Sequence, residues 1–179
     1  MLTITEIHEA KNLCEVVDEQ NRLLAILSKD DASKQKLITR QVGLILKDLS
    51  SHGLFRLNPD GSLTLTYKDY LPVGQAESAF AEDILKDKFQ TQTNHIVNLA
   101  QIGPSKTCRE FITVLGLVIS GSKLKDKANN DKNYLWLSQA EFLGLYPQLT
   151  PKADLLNYLY EQKILSNFLG WNFANQNLN

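Results

Sequence analysis

Cysteine is scarce in this sequence: 179 residues contain two, Cys14 and Cys108. Both lie in apolar runs, where a free thiol behaves as a small hydrophobe, so no disulfide scaffold is expected. Neither sign of charge dominates. Nineteen Lys and Arg face twenty Asp and Glu, a net charge of −1. No global basic field draws the chain to nucleic acid, so any such binding must come from a local patch. Long hydrophobic runs are absent too. The longest, Phe111 to Ile119, falls well short of the roughly 20 apolar residues that span a bilayer. The opening residues, Met1-Leu2-Thr3-Ile4-Thr5-Glu6, lack the basic flank and apolar stretch of a signal peptide, and no Asn-x-Ser/Thr acceptor occurs. The expected compartment is the cytoplasm, with no membrane partner.

Catalytic signatures are equally thin. His8, His52 and His95 are scattered, each without a His or Cys at metal-ligand spacing. Ser120-Gly121-Ser122-Lys123 matches a bare Ser-x-x-Lys, but it follows an apolar run that reads as a helix, and the further motifs that accompany it in serine acyl enzymes are absent. The carboxylate pairs Glu82-Asp83 and Asp30-Asp31 are sequence neighbours, whose side chains diverge. No glycine-rich phosphate loop is present. From this the chain is expected to be no enzyme, with no catalytic residue, metal or cofactor.

What remains is apolar content of 43%, enough for a core without staples, arranged with helical spacing over much of the chain. Residues 3–28 carry a helical stripe behind a Thr3-x-x-Glu6 capping pattern. The polar run Asp18 to Arg22 is either an exposed helical turn or a break. Ile38, Val42, Ile45, Leu46 and Leu49 mark one face of a helix from 33 to 52, which Gly53 would end. Leu54–Leu57 and Ser62–Thr66 flank Asn58-Pro59-Asp60-Gly61, a type I turn with a bulge, and predict a hairpin. Long helices over 75–101 and 105–120 meet at the breaker Gly103-Pro104. A polar, lysine-rich loop covers 121–133. The chain closes with a strand at 134–137, a helix opened by the capping box Ser138-x-x-Glu141, a helix over 150–163 and an extended 164–173.

Thr39 to Leu49 followed by the 54–66 hairpin resembles the recognition helix and wing of the winged helix-turn-helix superfamily, and 105–173 resembles the same unit in reduced form. The resemblance implies a mainly α fold with small β-hairpins: a winged-helix-like domain at 1–74, a connecting helix at 75–104, and a second such domain at 105–179. Tandem units of this kind occur in plasmid replication initiators and in small kleisin-binding subunits of chromosome-condensing complexes.

Segment 29–56 holds six basic residues against three acidic ones. On a helix, Lys36, Arg40 and Lys47 would cluster opposite the core. Thr39, Arg40 and Gln41 would reach base edges, and Arg56 and Asn58 on the wing would touch the backbone. The leading expectation is therefore a regulatory or plasmid- or phage-maintenance protein binding double-stranded DNA, as a homodimer joined through its long helices. The rival is a non-catalytic adaptor docking another protein through Leu155 and Tyr158, which fall off the core face of the second recognition-like helix.

Overall fold

The computed structural model describes residues 12–105, 108–149 and 155–171. The sequence patterns for Thr3-x-x-Glu6 and for Thr150-Pro151 lie outside them. Among the described residues nine strands form one mixed sheet with helices on both faces, so the mainly helical expectation is overturned. In chain order the elements are β1 (Leu13–Val17), β2 (Leu23–Ser28), α1 (Lys29–Lys34), β3 (Thr39–Lys47), β4 (Gly53–Leu57), β5 (Leu63–Thr64) and β6 (Tyr67–Tyr70). There follow α2 (Glu77–Phe89), β7 (Ile96–Ile102), β8 (Glu110–Val118), α3 (Gly121–Asn130), β9 (Tyr134–Leu137), α4 (Gln139–Leu149), α5 (Leu155–Glu161) and α6 (Ile164–Leu169).

Strand β3 organises the sheet. Along one side it pairs in parallel with the whole of β8, from Thr39 opposite Glu110 to Lys47 opposite Val118. Along its other side it meets β1 at Thr39, then β6 over 41–44, then β4 at 46–47, all antiparallel. The β1–β2 and β4–β5–β9 segments branch off these contacts, and β7 flanks β8.

A strand buried on both faces explains the misreading of 33–52. Val42, Leu44, Ile45 and Leu46 are all fully buried. Such a run carries no polar alternation, and its apolar positions happen to satisfy helical spacing. Even-numbered residues of β3 pack with Phe80, Ile84 and Leu85 of α2, while Ile45 packs with Phe142, Leu156 and Leu165 on the other face. Gly43 and Gly116 lie mid-strand because a Cβ there would come within 2.6 Å of Leu65 and of Phe168 respectively.

The other corrections follow the same logic. Segments 13–28, 96–102 and 110–118 are strands, and 121–130 and 164–169 are helices. The hairpin stands as expected: Arg56 pairs with Thr64, Gly61 donates to the Asn58 carbonyl at 2.9 Å, and Gly61 takes φ +82°. The strand at 134–137 and the Ser138–Glu141 capping box are also present, with Ser138 N–H donating to Glu141 Oε2 at 2.8 Å.

Candidate functional site

The N-terminal ends of β3 and β8 open onto a polar cleft on the α2 face, and the β1–β2 turn forms its rim. Asp18 builds that turn: its Oδ1 accepts the N–H groups of Gln20 and Arg22, each at 2.9 Å. Those bonds hold the Asp18 carboxyl below the usual carboxylate range. Asn21 takes φ +63°, a conformation that asparagine tolerates better than most residues.

Arg40 bolts the turn to the sheet. Its Nε donates to Asn21 Oδ1 at 2.8 Å, Nη2 to the Asn21 carbonyl at 2.6 Å, and Nη1 to Glu15 Oε2 at 2.5 Å. The other carboxylate oxygen of Glu15 accepts Gly74 N–H at 3.1 Å, tying in the loop that enters α2. The Glu15 side chain is 9% exposed and that of Arg40 29%. One buried ion pair thus fixes four segments around the cleft, with all three guanidinium nitrogens engaged.

The cleft has a volume of about 390 Å³. Its walls carry the amides of Gln20, Asn21 and Gln101, the Thr113 hydroxyl, the Phe111 ring and the Leu71 side chain, with Arg40 and Glu77 as its charged residues. Glu77 opens α2, where a carboxylate is favoured by the helix dipole. Farther along α2, Glu82, Asp83, Lys86, Asp87 and Lys88 are exposed, and Asp83 accepts the Gln75 amide at 2.8 Å. Among the described residues no group of three or more His, Cys, Asp or Glu side chains gathers to hold a metal ion.

The residues expected to share one DNA-binding face are dispersed. Arg40 and Lys47 point to opposite faces of one strand, about 23 Å apart at strand rise. Lys47 donates to the Phe168 carbonyl and lies 4.8 Å from that ring's centroid. Gln41 donates to Glu110 Oε1 at 2.9 Å. Arg56 is half-buried on β4, and Asn58 donates to Ser62 Oγ at 2.9 Å inside the turn. Lys36 and Thr39 line a separate hollow on the opposite face of the sheet. Leu155 packs against the core, whereas Tyr158 is 45% exposed.

Glu15, Asn21, Glu77, Gln101, Phe111 and Thr113 were not singled out from the sequence. The polar run at 18–22 between two β-branched or leucine-rich segments was the available signal: it is a hairpin turn, not a helical one. Cys108 donates to Glu110 Oε2 at 3.4 Å, and burial with that carboxylate pushes the thiol up, which disfavours the nucleophilic thiolate.

By sequence, no protein-family model and no curated protein matches the chain. Solved structures do match by shape. DR0079 from Deinococcus radiodurans has a TM-score of 0.62 at 16% identity, covering 83% of this chain and 97% of that one. A mutT/nudix family protein from Listeria innocua has a TM-score of 0.58 at 11% identity, covering 73% and 93%. Shewanella oneidensis NrtR, solved in complex with a 27mer DNA, has a TM-score of 0.54 at 12% identity, covering 76% and 78%. The chain therefore has a Nudix-like α/β fold, with no winged helix-turn-helix unit among the described residues. The first recognition helix, on which the DNA-binding function rested, is strand β3. The adaptor alternative rested on the second winged-helix-like unit, whose segment Leu155–Glu161 is a helix packed in this fold instead. The expectation of a chain that is no enzyme rested on thin catalytic signatures, and the likeness in fold to a mutT/nudix family protein overturns it. No helix among the described residues is long and apolar enough to cross a membrane.

Proposed function

We propose that the cleft at the N-terminal ends of β3 and β8 binds a phosphorylated nucleoside-type ligand. The observation that carries this reading is the lining itself: an aromatic ring, three amides and a hydroxyl converge in 390 Å³ on a wall held rigid by the Arg40–Glu15 pair. Amides donate and accept in pairs and so read the edge of a base, and an aromatic face stacks on it. A pocket of this size with few, fixed polar groups matches what small-molecule sites require. The Nudix-like fold, shared with a mutT/nudix family protein, supports testing for turnover as well as binding.

Glu77 is the carboxylate of the cleft, so in a hydrolytic reaction it is the group placed to take a proton from the attacking water. Phosphoanhydride hydrolysis commonly uses a divalent cation held by clustered carboxylates. The described residues gather no such cluster, so no step is assigned to a metal.

The test is calorimetric titration with ATP, ADP and a sugar-linked nucleoside diphosphate, followed by phosphate-release assays with and without Mg²⁺. Binding to the wild type, weakened about 10-fold or more in Phe111→Ala through lost stacking, is the expected result. No binding by any nucleotide, or equal binding by Phe111→Ala, would overturn the proposal. Duplex DNA belongs in the same series as a competitor, because NrtR was solved on DNA. Displacement of the nucleotide by duplex would extend the proposal to a nucleic-acid partner.

A further inference from the structure

The geometry points to a second ligand site on the opposite face of the β3–β8 pair, taking the phosphate group of a small molecule between Lys36 and Arg109. The hollow measures about 650 Å³ and is walled by β3, β6, β8 and the end of α1. Its donors are set apart from those of the cleft: Lys36, Thr39 and Tyr70 line the hollow alone, whereas Arg40 reaches Glu15 and Asn21 on the cleft side. Gln41 borders both, and Arg109 also borders the rim beside Gln20 and Phe111.

Lys36 and Arg109 are both exposed, and neither is ion-paired within the described residues. They are held close by the backbone. Thr39 N–H donates to the Arg109 carbonyl at 3.2 Å, and Lys36 stands three residues before Thr39. The acid that might cancel them, Glu110, is already occupied: Lys68 donates to it at 2.6 Å and Gln41 at 2.9 Å. The hollow therefore has a surplus of positive charge in a chain whose net charge is −1.

Neutral donors complete the site. Thr39 is 4% exposed, lines the hollow, and its hydroxyl makes no hydrogen bond within the described residues. Tyr70 adds a phenol at the same wall, and burial pushes its ionisation up, so it stays a donor at neutral pH. A guanidinium fork, an ammonium and two hydroxyls approach from different elements. That spread suits the oxygens of a tetrahedral phosphate better than a planar carboxylate, which one arginine can satisfy in its own plane.

The experiment titrates the full chain with inorganic pyrophosphate, inorganic phosphate and malonate, followed by amide chemical shifts at low and moderate salt. Pyrophosphate and phosphate are expected to move the amides of 36–41 and 109–110, with affinity falling as salt rises. Lys36→Gln/Arg109→Gln should weaken binding about 10-fold or more, as loss of charge-assisted hydrogen bonds requires. Both side chains are exposed, so the fold is not at stake. Arg109→Lys should recover part of the loss. Gln101→Ala, in the cleft and bordering neither the hollow nor Arg109, should leave phosphate binding unchanged, which separates this site from the nucleoside cleft. Undiminished binding in the double variant, or malonate bound as tightly as phosphate, would overturn the assignment.

Discussion

The two ends of β3 carry like charges and use them differently. At the N-terminal end, Arg40 is shared among Glu15, Asn21 and, through Glu15, Gly74, so one guanidinium positions the rim of a cleft. At the C-terminal end, Lys47 has no carboxylate partner within the described residues. It donates to the Phe168 carbonyl and lies over that ring, closing the sheet against α6. The open end is held by a buried ion pair, and the closed end by a cation resting on an aromatic. A basic side chain on a central strand is thus a fastening before it is a contact for any ligand, and its role is set by which face of the strand it leaves from.

Removing the first fastening should cost the most. Arg40→Ala would strand the Glu15 carboxylate at 9% exposure. Breaking a fully buried pair costs about 3–5 kcal/mol, and the partial exposure of Arg40 lowers this to about 2–3 kcal/mol. Urea unfolding measures it. Adding Glu15→Gln should return part of the loss, because the uncompensated charge is gone. If the double variant is no more stable than Arg40→Ala alone, the ion pair is not what holds the rim.

Lys47→Met tests the other end. The methylene stem is replaced by a chain of similar length that still covers Phe168, so only the hydrogen bond and the cation–π attraction are lost. The expected destabilisation is about 1–2 kcal/mol, smaller than at Arg40 because no buried charge is left behind. Equal losses at the two ends would erase the distinction drawn between them.

The contrast also shows what could be read from the sequence. The hairpin at 53–64, strand 134–137 and the Ser138 capping box were legible because each rests on a local rule: a turn whose glycine needs positive φ, or a hydroxyl and carboxylate that close on each other. Strands β3 and β8 were not, because both faces of each are buried and the period-2 signal disappears. Two cues stood in the residues all the same. Phe111, Ile112, Thr113, Val114, Val118 and Ile119 are aromatic or β-branched, and Gly43 and Gly116 interrupt what would be helices at about 1 kcal/mol each relative to alanine. The candidate cleft was out of reach for another reason. Glu15, Arg40, Glu77 and Phe111 are brought together by sheet register, which no spacing along the chain encodes.

Between the two ends, β6 pairs with the middle of β3, and its Tyr67 offers a test that is silent at neutral pH. Tyr67 donates to Asp69 Oδ2 at 3.2 Å, and its pKa is pushed up to about 12, by burial first and the Asp69 carboxylate second. The unfolded phenol ionises near the ordinary value of 10.0. Below that pH both states are protonated and the stabilisation is fully present. Between about 10 and 12 the unfolded state releases the proton while the folded state keeps it, so the unfolded state binds fewer protons and stability falls as pH rises. Tyr70, Tyr134 and Cys108 are shifted in the same direction and add to the decline. Tyr67→Phe should therefore flatten the loss of Tm between pH 10 and 12 without abolishing it, and should change Tm little at pH 7 beyond the loss of one half-exposed hydrogen bond. An alkaline profile identical to wild type would mean that the phenol ionises as freely in the sheet as in water. The middle of β3 would then be more open than either of its ends.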